Sequence, residues 1–263
     1  MLRSSLSPLL TRRSTINFAS PPTQIPPATL NKIVNQTMRS PTAFNLQPFT
    51  CVLLDSQNPS QQAMKERLST SAAMGPGNKR RFTDCSMLAV FLSDLNPSSS
   101  DRLNRVIEVE ESEGSPRQFN DGYLASLPVL TEFLGKGSVL KNLVLPLVSD
   151  SGHAATVEIE GTEAWCNKSV GMAVMGFVIG CEEAGLGSCV MEGYDARRIR
   201  EALNVPGGRA ERRWGVPCVV AVGECGDERS FGSGNVVLTK RLDVDEVFFS
   251  GSFGVGYDCD VKE

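Results

Sequence analysis

The chain has 263 residues, 41% of them apolar, enough to bury a core; one domain over 1–263 is the simplest expectation. A net charge of −4 provides no basic field for nucleic acid. The longest apolar run, 170–181, is short of the roughly 20 residues a bilayer requires, so no membrane partner is expected and the chain reads as soluble.

Residues 2–11 read as a short helix, followed by Arg12-Arg13-Ser14-Thr15 and a proline-rich loop from Pro21 to Pro27. Thr29 is placed to cap the next helix, where Leu30, Ile33 and Val34 recur at helical spacing before a stop ahead of Pro41. Thr50–Leu54 reads as a buried strand and Gln61–Ala73 as a helix. Gly75-Pro76-Gly77 then breaks the chain before another short helix. Ser86–Leu92 is a continuous apolar run of strand length, the pattern of a strand covered on both faces.

Residues 96–160 are expected as a helical insert. Arg102–Glu113 is strongly charged, and Leu124–Leu147 is apolar but broken at Pro128, Gly135 and Pro146. A lid or pocket wall and a plain surface pair of helices fit this segment equally. From Glu163 the pattern sharpens: Trp165, Val170, Ala173, Val174, Phe177, Val178 and Cys181 stripe a helix that ends at Gly185-Leu186-Gly187. Its glycines at 171, 176 and 180 suit close approach by a neighbour. Ser188–Met191 reads as a short strand, Asp195 as the cap of a helix through Leu203, and Pro217–Val222 as a buried strand. Residues 248–263 read as an irregular tail. Strands separated by helices point to an α+β (α/β-type) fold with a central mixed sheet flanked by helices.

The common chemical motifs are missing. Gly185-Leu186-Gly187 closes a helix instead of opening one and has Val190 at the last glycine position of a dinucleotide fingerprint. Gly135-Lys136 lacks the earlier glycine of a phosphate loop. The one histidine, His153, has no nucleophile elbow nearby, and eight cysteines without a C-x-x-C pair leave no metal cluster to expect. The cysteines read as buried thiols of a reducing compartment. No acidic residue precedes Asp55, and the first fourteen residues are rich in Arg, Ser and Leu. Cytoplasmic localisation is expected, with mitochondrial as the alternative.

Four separated segments carry the functional signal: Arg12-Arg13-Ser14-Thr15, Ser40-Pro41-Thr42-Ala43-Phe44-Asn45-Leu46-Gln47-Pro48, Val190-Met191-Glu192-Gly193-Tyr194-Asp195 and Lys240-Arg241-Leu242. A fifth, Asn78-Lys79-Arg80-Arg81, puts Asn78 and Arg81 on one helical face. Singly, each also suits a solvated turn or basic surface. In this order they resemble the FMN-dependent nitroreductase family.

The resemblance implies a homodimer with an exchanged C-terminal segment and one FMN in each interface cleft. Arg12 and Arg241 would hold the phosphate dianion through guanidinium forks, aided by Arg13, Ser14 and Lys240. Asn78 and Arg81 would face the pyrimidine edge, where a fixed cation stabilises the reduced flavin. Pro41, Thr42, Ala43 and Asn45 would reach over from the other subunit. Val190, Met191, Glu192 and Gly193 would line the ring, with the backbone of Glu192 and Gly193 positioning flavin N5. No side chain is strictly required as a catalytic acid or base. Two departures stand out: Ile16 replaces a second cation, and Val190 a common proline, so Arg81 is left as the chief charge near N1. The implied activity is ping-pong NAD(P)H oxidation coupled to reduction of a nitroaromatic or quinone. The alternative is a flavin-binding protein of this fold with a sensing, lipid-stress or other specialised role.

Overall fold

A computed structural model describes residues 7–97, 99–112, 161–207, 213–226 and 240–255. The expected apolar stretch Leu124–Leu147, His153 and Cys259 lie outside the described residues. The chain divides into two compact units, Met1–Asp227 and Glu228–Glu263.

In the first unit the elements run α1 (Pro8–Thr11), α2 (Pro27–Met38), β1 (Phe49–Asp55), α3 (Pro59–Ser71), α4 (Gly75–Asp84), β2 (Met87–Asp94), α5 (Ser100–Ser112), α6 (Thr162–Glu183), β3 (Gly187–Met191), α7 (Ala196–Ala202) and β4 (Trp214–Gly223). A 3-10 turn, Ala43–Asn45, precedes β1. The sheet order is β1-β2-β4-β3, with every strand pair antiparallel. Among the described residues the parallel contact is the isolated bridge between Ser14 and Ser188.

The doubly apolar run of β2 is the reason for three layers. Leu88, Val90 and Leu92 enter one cluster with Leu68, Phe82 and Ile199 of α3, α4 and α7. Met87, Ala89 and Phe91 enter the other with Ile33 of α2 and the α6 stripe. Phe91 meets Phe177 edge-on at 5.5 Å. Burying both faces of one strand ties the two helical layers to a single sheet.

Several boundaries differ from the sequence reading for identifiable reasons. Helix α2 starts at Pro27, ahead of Thr29, because a proline at the first helical positions is already set to helical φ. Asn58 caps α3, its side chain accepting from the N–H groups of Ser60 and Gln61, which starts that helix at Pro59. Gly75-Pro76-Gly77 is the first turn of α4, with Gly75 at φ 72° making the entry. Strand β4 runs back through Pro217 to Trp214. The proline lies at the register shift between β2 and β4 and beyond the end of β3, where its missing N–H breaks no ladder bond.

Helix α6 is long and apolar enough to cross a bilayer by composition, yet half of its most apolar window is buried against protein. A Cβ on Gly180 would approach Ile33 Cα to 3.4 Å, so α2 packs directly on the α6 backbone there. Gly171 faces open space, contrary to the expectation of a close neighbour. In the second unit, α8 (Val244–Val247) is capped by Asp243, whose N–H bonds to the Glu246 carboxylate at 2.9 Å. The segment 248–255 continues without regular structure, apart from Phe249 and Phe253 stacking at 4.9 Å.

Candidate functional site

Strand β3 leaves the sheet at Met191 into the turn Glu192-Gly193-Tyr194. The Glu192 carbonyl accepts from Tyr194 N–H at 3.0 Å, and Gly193 C=O accepts from Met74 N–H at 2.9 Å and Asn78 Nδ2 at 3.1 Å. Both peptide planes are therefore fixed. Because the peptide unit is planar and trans, the Gly193 N–H points away from Tyr194. A side chain at 193 would have to displace Asn78: a Cβ there would stand 2.5 Å from Asn78 Nδ2.

Helix α4 brings Asn78 and Arg81 to this turn, on one face as their spacing predicted. Arg81 Nη1 donates to Asn78 Oδ1 at 2.9 Å, so Asn78 links the guanidinium to the Gly193 carbonyl. Arg81 Nε is buried and has no protein partner.

The N-terminal segment arrives from the other side of β3. Thr15 N–H donates to Ser188 C=O at 2.8 Å, registering Arg12-Arg13-Ser14 along the strand edge. Arg12 terminates α1, its N–H bonded to Pro8 C=O. Arg12 Nε and Arg13 Nη1 are buried with no acceptor in the protein. Arg12 and Arg81 converge on the Cys189 thiol: burial pushes that thiol up, and the two guanidiniums oppose the shift. Arg12, Arg13 and Arg81 are part-buried, each has an orphaned donor, and among the described residues none is paired with a carboxylate; set together, such donors would serve as a cradle for an anion.

Val190 is exposed at the sheet edge and Met191 is buried in the core, so Met191 acts by packing. Ile16 is half-buried and brings no cation to the cradle. Arg80, next to Arg81, is used elsewhere: its Nη2 donates to Asn17 Oδ1 at 2.7 Å and fastens the N-terminal segment to α4. Sequence reasoning missed this clasp and the position of Cys189. The clasp had no motif, although Cys189, two residues after Gly187 in a short strand, could have been placed by alternation.

The Pro41–Asn45 segment is elsewhere in the chain. It precedes β1, at the opposite edge of the sheet from β3, three strand spacings or about 14 Å across. Pro41 and Ala43 are exposed. Thr42 Oγ1 accepts from Gln47 N–H at 3.0 Å, and Asn45 accepts from Gln47 Nε2 through both C=O and Oδ1 at 3.2 Å. Two cavities lie by this loop. One, of about 260 Å³, is walled by Phe49, Cys51, Leu53 and Phe177; the other, of about 440 Å³, by Asn45, Arg102, Arg105 and Trp214. Lys240 and Arg241 belong to the second unit, both exposed, with Arg241 Nη1 donating to Lys240 C=O at 3.1 Å. Among the described residues no cluster of metal ligands exists.

Comparison with known proteins follows the same lines. The sequence profile of the Nitroreductase family matches residues 9–224. Protein DrgA of Synechocystis is 23% identical over 223 residues, 82% of this chain and 85% of its own length. Among solved structures, ydfN of Bacillus subtilis superposes with a TM-score of 0.65 at 20% identity, covering 92% of this chain and 96% of its own. A protein of Exiguobacterium sibiricum, described as a nitroreductase and solved in complex with FMN, superposes with a TM-score of 0.66 at 14% identity, over 92% and 94%.

Proposed function

This chain belongs to the nitroreductase family, and on that premise we propose that it is an FMN-dependent NAD(P)H oxidoreductase that reduces nitroaromatic compounds or quinones as a homodimer. The observation that carries the proposal is the set of orphaned donors on Arg12, Arg13 and Arg81, the last tied through Asn78 to the Gly193 turn, where a side chain would have to displace Asn78. A phosphate dianion joined to a flat ring that becomes anionic on reduction is the ligand class that such a set satisfies.

In this reading Arg12 and Arg13, with Ser14, hold the FMN phosphate and ribityl chain, and Lys240 and Arg241 supply further positive charge. Arg81, latched by Asn78, faces the pyrimidine edge, and the fixed Gly193 peptide orients its N–H toward the ring. When bound, FMN would supply the redox chemistry between a nicotinamide donor and the acceptor. The protein contributes position and field, so no side chain has to move a proton as an essential acid or base. Pro41, Thr42, Ala43 and Asn45 cannot join Arg12 across their own sheet; they complete the site from a second copy, which is the reason for the homodimer.

The visible spectrum of the purified protein tests this directly. A yellow protein that bleaches on anaerobic addition of NADPH or NADH, and is reoxidised by a nitrofuran or menadione, is expected. Stoichiometric flavin in an Arg12→Ala, Arg241→Ala variant would refute the phosphate assignment. A protein that stays colourless after incubation with FMN would refute the function.

A further inference from the structure

Asp94 is wholly buried at the end of β2, and it is ringed by donors. Arg213 donates to it through Nε at 3.1 Å and Nη2 at 3.0 Å, Arg102 through Nε at 3.1 Å, and the Asn96 N–H at 3.1 Å. Arg102 lies in the first turn of α5, where the 96–160 segment begins. Its second arm, Nη1, reaches the carbonyl of Gln47 at 2.6 Å. Asp94 N–H takes the next carbonyl, Pro48, at 2.9 Å.

Gln47 in turn organises the preceding loop through Thr42 Oγ1 and Asn45. Asn45 and Gln47 hold φ of 52° and 45°, a left-handed backbone that side-chain-bearing residues keep only when their surroundings impose it. One imposing contact from outside the loop, beside the burial of Leu46, is the forked guanidinium of Arg102, itself oriented by the wholly buried Asp94 carboxylate. A lysine in its place has one ammonium and no rigid fork to serve both acceptors.

We propose that Arg102, oriented by Asp94, is a positioning residue for the flavin site: it sets the Thr42–Gln47 loop in the shape that completes the partner's cofactor pocket. This rests on the reading that the loop meets FMN across the dimer. It also gives the start of the 96–160 segment a definite part, as the scaffold of a pocket wall.

The test compares Arg102→Gln and Arg102→Lys with Arg213→Gln, which removes a guanidinium from the same carboxylate without touching the loop. Apoprotein is titrated with FMN, and iodide quenching of the bound flavin's fluorescence is measured alongside thermal stability. Both Arg102 variants are expected to weaken FMN binding about tenfold and to raise quenching, about 1.4 kcal/mol in binding. Arg102→Lys keeps the charge beside Asp94 and so the thermal midpoint. Arg213→Gln is expected to lower the thermal midpoint while leaving FMN affinity and quenching within twofold. Wild-type affinity and quenching in both Arg102 variants, or equal losses in the Arg213 control, would overturn the inference alone. A wild-type protein that takes up no FMN would overturn the flavin reading, and this inference with it.

Discussion

Replacing Gly193 by alanine probes the turn at the centre of the site with a single methyl group. The backbone at 193 is not in the left-handed region, so alanine meets no conformational barrier there. The obstacle is Asn78 Nδ2, 2.5 Å from the new Cβ, at the end of a side chain that can rotate away. Rotation gives up two hydrogen bonds, to Gly193 C=O at 3.1 Å and from Arg81 Nη1 at 2.9 Å. A neutral bond contributes about 1 kcal/mol and a charged one about 2 kcal/mol, while the stiffer unfolded chain returns about 0.5–1 kcal/mol. The net loss is about 2 kcal/mol, or a thermal midpoint lower by roughly 4–8 °C at this size. Arg81, released from Asn78, should also bind FMN about tenfold more weakly. The discriminating assay is a double-mutant cycle by urea unfolding of the apoprotein. In an Asn78→Ala background both bonds are already gone, so Gly193→Ala should cost nearly nothing. Additive losses in the double variant would refute the latch between Gly193, Asn78 and Arg81.

Arg12→Ala removes a cation whose buried Nε has no partner, so apoprotein stability should hold or rise while FMN affinity drops at least tenfold; thermal melts with and without FMN check both signs. Burial pushes the Cys166 and Cys181 thiols up to about 12, from an ordinary 9.0. Folded protein thus keeps protons that the unfolded chain releases, and stability present below pH 9 should fall as pH rises toward 12. The slope is about 1.4 kcal/mol per pH unit for each thiol, and Cys181→Ala should flatten it by one thiol's share in urea melts. Lys65 has the opposite sign. Burial lowers its amine, so the unfolded state binds the extra proton, and its contribution to stability should grow as pH rises toward 10.5. In Lys65→Met that alkaline gain should vanish, while Ser56 Oγ still satisfies the Cys85 carbonyl at 2.6 Å.

The periodic elements were legible because each carries its own physical signature. The strand β2 announced burial on both faces by six consecutive apolar positions, and Asp195 announced the start of α7, where its side chain accepts from Arg198 N–H at 3.1 Å. Asn78 and Arg81 shared a face because helical spacing allows nothing else. Less legible were the start at Pro27, where preset φ overrides the nearest capping side chain, and the start at Pro59, set by the Asn58 cap just before it.

The cation cradle was suggested by sequence only through its likeness to a family, since no local rule links position 12 to position 81. Residue types, charges and element periods are properties of the chain and were fixed before folding. Which guanidiniums keep an orphaned donor, and which are consumed by a neighbour, is a property of packing. Arg80 and Arg81 are adjacent and chemically identical, yet one is spent on Asn17 and the other is left facing the Gly193 turn. Asp94, two residues beyond the expected strand Ser86–Leu92, is a fully buried anchor for two arginines. Such outcomes depend on contacts between residues distant in the chain, Arg80 with Asn17 and Asp94 with Arg213, which only the closed sheet and its covering helices bring within hydrogen-bond reach.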